Sequence, residues 1–232
     1  MPLILNIDTA TEHASVCLSK DEVVLEVIES NEQKNHASFV QPAIQQLMMG
    51  TSWQLSDIDA VAVTSGPGSY TGLRVGLSSA KGICYALDKP LILINTLEVM
   101  AESILVHYQS IHQLIDKSTF LCPMIDARRR EVFTALYDNS IFEKEAPHAL
   151  IVDENSFGTL LKTNPILFTG TGHFKLKEVI SNPNASFLSI QHNASHLGIR
   201  ALIAYQSGSF ADLAYSEPLY VKEFFNASKK AI

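Results

Sequence analysis

The stretch with the most capacity for chemistry runs from Val61 to Ile83. A short β-branched run, Val61-Ala62-Val63-Thr64, ends in Ser65-Gly66-Pro67-Gly68-Ser69-Tyr70-Thr71-Gly72, and a helix-length segment follows. Strand, glycine turn and helix start can together make an anion cradle, because the first N–H groups of a helix lack partners and its dipole is positive there. Neither common nucleotide motif is matched. The third glycine of G-P-G-S-Y-T-G comes one residue too late for G-x-G-x-x-G, and no Gly-Lys-Ser/Thr follows. The loop reads as a phosphate site or, equally, as a bare strand-to-helix turn.

The other reactive side chains are scattered. His192 and His196 stand four apart, a spacing that can bind metal on a helix. Asn193 and Ser195 between them read as helix caps, which places His192 ahead of the helix and makes the pair surface histidines. His107 and His112 read as solvated, and His173, after Gly170-Thr171-Gly172, as making a turn hydrogen bond, its alternative being to touch a ligand in the cleft. Arg128-Arg129-Arg130 reads as solvated charge or as partner to nearby acids. Its alternative is to face an acidic partner or a phosphate. Cys17, Cys84 and Cys122 lie apart in apolar segments, which fits reduced, buried thiols in a cytosolic protein.

These residues need a scaffold, and the bulk properties bound it. A chain of 232 residues with 47% hydrophobic and 18% charged content can bury one large core or two small ones. A net charge of −7 argues against independent nucleic-acid binding. No Lys or Arg precedes Lys20 and no long apolar run opens the chain, which argues against an export signal; nor does any run reach membrane-span length.

Leu3 to Ile7, Ala14 to Ser19 and Val23 to Ile28 read as an antiparallel meander of strands. Phe39, Val40, Ala43, Ile44, Leu47 and Met48 follow helical spacing, with Pro42 near the start or at a kink. Asp59 to Thr64 is a strand, then come the glycine loop and its helix, the strand Leu91 to Ile94 and the helix Leu97 to Tyr108. In that second helix Gly72, Gly76, Ala80 and Cys84 share one face. A helix-interior glycine costs about 1 kcal/mol against alanine, so close packing must offset it. The neighbour is the chain's own sheet or a helix of another subunit.

The second half repeats the plan. Phe120 to Ile125 runs into Asp126 as Leu3 to Ile7 runs into Asp8. Glu131 to Tyr137 and a further short strand follow, Asn155 to Leu161 reads as helical, and Pro165 to Thr169 leads into Gly170-Thr171-Gly172. The expected fold is α/β: a duplicated β-β-β-α-β-α unit, the two-lobed, ribonuclease H-like architecture of the actin, sugar kinase and Hsp70 superfamily. The boundary falls near residues 108 to 118, giving lobes of 1–110 and 111–232. In that superfamily the strand-end aspartates and glycine turns face an interlobe nucleotide cleft, so its residual members here would be Asp8, Thr9, Gly66, Gly68, Asp126, Gly170 and Gly172.

Four segments occur in order: Asn6-Ile7-Asp8-Thr9-Ala10-Thr11, Gly66 through Arg74, Asp126-Ala127-Arg128-Arg129, and Glu217-Pro218-Leu219-Tyr220-Val221-Lys222. With them the whole chain resembles the TsaB family, smaller paralogues of TsaD in bacterial synthesis of threonylcarbamoyladenosine in tRNA. Lys222 departs from the arginine common there, and Lys229-Lys230 reads as a frayed end. The resemblance implies a non-catalytic subunit with no cofactor of its own. ATP and a divalent metal would belong to its partners TsaD and TsaE, tRNA would be met only through that complex, and the chain would pair with itself when alone.

His36 matches the first histidine of the paralogue's H-x-x-x-H metal pair, but Val40 takes the second place, and one imidazole makes no metal site. The family's glycoprotease label brings no H-E-x-x-H with it. The expected partner surface is Phe39, Val40, Ala43, Ile44 and Leu47 on the first helix, with Thr71, Gly72, Val75, Gly76, Ser79 and Ala80 on the second. On that reading Gly76→Leu would block the partner and spare the fold. The rival reading is a small-molecule kinase or ATPase using Asp8 and the glycine turns.

Overall fold

The computed structural model describes residues 1–30, 32 and 35–222. Lys229 and Lys230 lie outside the described residues. Ten strands form two five-stranded sheets. In the first, β1 (Leu3–Asp8), β2 (Ala14–Lys20) and β3 (Val23–Ser30) make an antiparallel meander. Then β4 (Ala60–Gly66) and β5 (Leu91–Asn95) add in parallel on the other side of β1, for an order β3-β2-β1-β4-β5. The second sheet comprises β6 (Phe120–Asp126), β7 (Glu131–Tyr137), β8 (Glu143–Ile151), β9 (Ile166–Thr169) and β10 (Ala185–Leu188). Its order is β8-β7-β6-β9-β10, the same path with the same parallel and antiparallel pairings. The duplicated, two-lobed mixed α/β fold is as the sequence leads one to expect.

Alternation along each strand decides what packs where. Leu3, Leu5 and Ile7 of β1 face α1 (His36–Gly50) and α2 (Tyr70–Leu87), joining Val40, Ile44, Leu47, Leu77, Ala80 and Cys84 in one core. Ile4, Ala60, Ala62, Ile92 and Ile94 face the opposite way. Their cover comes from Val99 and, far along the chain, from Leu197 and Ala201 of α5 (Ala194–Gln206). Conversely Leu97, Met100, Ala101 and Ile104 of α3 (Thr96–Ser110) pack on Leu121, Ile125, Ala135, Tyr137 and Leu167 of the second sheet. The remaining face of that sheet is closed by Leu161 and by Leu176 of α4 (His173–Lys177). The division at residue 110 separates the sheets, whereas one helix crosses each way between the lobes.

Arg200 on α5 binds Glu98 on α3 at 2.6 Å and approaches Glu102 at 3.6 Å, tying the exchanged helices together. After α5 the chain straps back along the first lobe. Ala211 N–H donates to Leu91 O at 2.8 Å and Leu219 N–H to Ser65 O at 2.7 Å. Lys81 donates to Ala214 O and Ser216 O, and Arg74 to the Tyr220 hydroxyl at 3.0 Å.

One local expectation changes. Residues 155–161 form turns, with a single 3-10 turn only at Leu160–Lys162, because Phe157 takes a left-handed φ of 61° that an α-helix cannot include. Of the two places expected for Pro42, the structure takes the one inside α1. It lies on the exposed side, where water can satisfy the carbonyl left without a donor. Among the described residues no helix is long and apolar enough to cross a membrane.

Candidate functional site

Asp8 ends the central strand of the first sheet and is fully buried. Its Oδ1 accepts from the Thr64 hydroxyl at 2.9 Å and from Ala10 N–H at 3.1 Å, while Oδ2 faces His192 Nε2 at 3.3 Å. Burial by itself would raise the carboxyl pKa. The His192 imidazole, with the Ala10 and Thr64 donors, outweighs burial and holds Asp8 below the ordinary carboxylate value. The sequence places His192 on the surface. Instead it is 5% exposed, because the connection from β10 to α5 carries it under the end of β1. No sequence signal links two residues so far apart. Asparagine capping is as expected: Asn193 is the N-cap, accepting from Ser195 N–H.

The glycines have internal explanations. A Cβ on Gly68 would overlap the carbonyl oxygen of Ala10, and one on Gly72 that of Thr9. At Gly76 it would overlap the Thr9 hydroxyl, which donates to Gly72 O at 2.7 Å. Gly66, with φ +120°, lies against the Leu219 carbonyl, and Gly170, with φ +90°, against Met100 and the Met124 carbonyl. A Cβ on Gly172 would crowd Val132 and Ile125. These positions let the chain's own backbone close on itself, so the intramolecular reading of the helix face is the one realised.

The expected partner surface needs a matching correction. Val40, Ala43, Ile44, Leu47, Gly72, Gly76 and Ala80 are buried in the first lobe, because the apolar and small faces of both helices are those that pack on β1, β2 and β4. Phe39, Val75 and Ser79 are half-buried and Thr71 is exposed. The outer face of α2 is a different stripe: Thr71, Val75, Ser78, Gly82 and Ala86. A Cβ on Gly82 would meet nothing within 4 Å.

Three cavities among the described residues open between the lobes. The smallest, about 180 Å³, is lined by Met100, Gly170, His173, Phe174, Ile190 and His192 among others. A second, about 590 Å³, is lined by Glu12, His36, Gly68, Tyr70, Asp126 and Arg128 among others, and Thr11 and Thr171 border both. The third, about 720 Å³, is lined by Pro67, Tyr70, Arg128, Arg129, Phe133 and Lys222 among others. Of the expected cleft residues, Gly68, Asp126 and Gly170 line a cavity. Asp8, Thr9, Gly66 and Gly172 do not, being turned into the protein's own packing.

Asp126 is exposed and bound by Lys175 at 2.7 Å. Burial raises its carboxyl pKa, but the Lys175 ammonium and the Arg128 N–H together outweigh it and keep the carboxyl below the ordinary value. Arg128 and Arg129 both take positive φ, 66° and 50°, and among the described residues no ion pair engages Arg128, Arg129 or Arg130. His36 spends Nε2 on the Thr11 carbonyl at 2.8 Å. Among the described residues no three His, Cys, Asp or Glu side chains converge as a metal site. The arrangement does not fit a superfamily nucleotide and its metal: the aspartate that would hold them is sealed from all three cavities.

Comparison with known proteins follows the fold. The family model described as TsaD, tRNA N6-adenosine threonylcarbamoyltransferase, matches residues 22–229. The chain is 29% identical over 182 residues to the tRNA threonylcarbamoyladenosine biosynthesis protein TsaB of Bacillus subtilis, covering 77% of this chain and 75% of that protein. It is 34% identical over 154 residues to the TsaB of Escherichia coli, covering 65% and 63%. A crystal structure from Pseudomonas aeruginosa, described as similar to the peptidase YeaZ, superposes with a TM-score of 0.82 at 24% identity, covering 96% of this chain and all of the other. The chain belongs to the TsaD family of tRNA N6-adenosine threonylcarbamoyltransferase, and within it to the TsaB branch.

Proposed function

We propose that this chain acts in threonylcarbamoyladenosine biosynthesis as a non-catalytic subunit that docks TsaD, and through it TsaE, by the outer face of α2. The observation that carries the reading is Gly82. It is an exposed glycine in a helix interior, and a Cβ there would meet nothing within 4 Å among the described residues. Its cost of about 1 kcal/mol has no return among the described residues. In the stripe Thr71, Val75, Ser78, Gly82 and Ala86 it lets another helix approach closely, and the flanking Tyr70 and Tyr85, 38% and 84% exposed, offer aromatic anchors. The same stripe would serve self-association when TsaD is absent. ATP and metal chemistry then belong to the partners, and tRNA is met only in the assembly. The glycoprotease label has no support in chemistry: burial pushes the thiols of Cys17 and Cys122 up to about 12, far from a nucleophilic thiolate.

Co-purification with TsaD tests the proposal. Gly82→Leu is expected to leave the monomer folded and to weaken association by at least about tenfold, about 1.4 kcal/mol. Undiminished association would remove α2 from the interface. The kinase or ATPase reading meets its own test in calorimetric titration with Mg-ATP: micromolar binding, with hydrolysis lost in Asp8→Asn, would replace the scaffold reading.

A further inference from the structure

Each sheet ends in two outer strands, and among the described residues three of these four edges are blunted. Along β5, Ala211 N–H donates to Leu91 O, so the returning strap covers that edge. The β10 edge is only four residues long. On β8 stand Lys144 and Pro147, and proline has no N–H to give a neighbour. The remaining edge, β3, runs for eight residues with neither proline nor lysine. Its register breaks once, at Leu25, and from Glu26 to Ser30 each residue pairs with one of β2. In such an antiparallel pair, alternate residues turn both N–H and C=O away from the neighbouring strand. Among the described residues no backbone group of another element bonds to Glu26 through Ser30 on that outer side.

The side chains on this run set what can join it. Glu26 and Glu29 are exposed, with Val27 and Ile28 half-buried between them. Glu26 and Ile28 stand opposite Leu18 and Val16, on the α1 face of the sheet; Val27 and Glu29 stand opposite Cys17 and Ser15, on the α5 face. Each face therefore presents one carboxylate and one apolar side chain. Glu29 accepts from Asn193 Nδ2, and among the described residues no ion pair engages Glu26 or Glu29.

We propose that β3 is a docking strand for an extended basic segment of another protein, which adds to the first sheet as a sixth strand and carries the pattern basic, apolar, apolar, basic. Charge selects that occupant. Glu-Val-Ile-Glu reads alike from either end, so one basic residue meets Glu26 and another Glu29 whether the segment arrives parallel or antiparallel. The net charge of −7 adds attraction at longer range. A second copy of this chain is disfavoured. Two-fold pairing about Val27 and Ile28 would set Glu26 of each copy against Glu29 of the other, and like charges directly opposite destabilise a pair. Two strands, β2 and β1, separate β3 from β4, on which α2 packs, so strand addition and α2 docking can fail independently.

The test is amide NMR of the full chain, with the capped peptide Thr-Lys-Val-Ile-Lys-Thr as the probe. The amides of Glu26 to Ser30 are expected to shift with saturation, and the outward ones to exchange with solvent more slowly. Thr-Glu-Val-Ile-Glu-Thr is expected to leave them unmoved. Thr-Lys-Pro-Pro-Lys-Thr keeps the charge but has no N–H at its centre, and is expected to bind at least about tenfold more weakly. Glu26→Lys turns one attractive pair into a repulsive one and is expected to weaken the first peptide about fivefold or more. Unmoved amides at the solubility limit of that peptide would overturn the proposal. Equal binding of the proline peptide would reduce the effect to surface charge and overturn strand addition. Equal binding of the glutamate peptide, or undiminished binding to Glu26→Lys, would overturn the charge selection. Protection of these amides that grows with protein concentration alone would assign the edge to a second copy, and so overturn the proposal as well. The peptide comparisons leave the protein unchanged, so they stand even if the variant fails to fold.

Discussion

Gly76 and Gly82 share one helix and answer to different neighbours. Gly76 lies against the Thr9 hydroxyl and Val63, so Gly76→Leu must displace β1 and its following loop. The expected loss is about 3 kcal/mol or more of folding stability, at the upper end for overpacked cores; a denaturant midpoint close to wild type would contradict it. That outcome replaces the expectation that this substitution spares the fold, because the glycine face looks inward. His196 belongs at the same scale. Burial, with the neighbouring His192, lowers its pKa from 6.5 to about 4. The unfolded chain then takes up a proton that the folded chain refuses, so this contribution is intact above pH 6.5 and is lost as pH falls toward 4. Between pH 7.5 and 5 the decline should be about 2 kcal/mol. Denaturation at both values, in wild type and His196→Gln, measures it; an undiminished decline in the variant would assign it elsewhere.

The elements explain why those residues matter. The Thr9-Ala10 loop after β1 is clamped by the glycine start of α2, with Ser69 N–H donating to Ala10 O at 2.6 Å and Ser69 Oγ accepting from Gly72 N–H. Asp8 is held from the other side by α5, through His192. Asp8→Asn replaces a buried charged partner and is expected to destabilise the chain by about 3–5 kcal/mol, the range for breaking a buried pair. A thermal shift within error of wild type would show that the Asp8–His192 contact carries little.

On the scale of the molecule, α5 covers the first sheet, while α3 packs mainly on the second and reaches the first through Val99. Each half keeps one core of its own, and the other two cores are built from both halves. Residues 1–110 alone would expose the apolar face of α3 and leave Ile4, Ala62 and Ile92 uncovered by Leu197 and Ala201. The fragment is expected to lack a cooperative transition, while the full chain unfolds in one. A folded fragment with dispersed amide signals would show that the first sheet needs no borrowed helix.

Much of this was legible in residue order. Strand alternation, the paired Asp8 and Asp126 endings and the two glycine turns establish the duplication, because period and turn chemistry are local properties. The segments around Gly66–Arg74 and Glu217–Lys222 establish the family. Which face of a helix looks inward is not local: small residues fit a sheet or a partner equally well, and only the placement of Thr9 under Gly72 and Gly76 decides it. The same holds for β10, for the crossing of α3 and α5, and for His192 beside Asp8. Each depends on contacts between segments remote in the chain, and those exist only once the two sheets have folded against each other's helices.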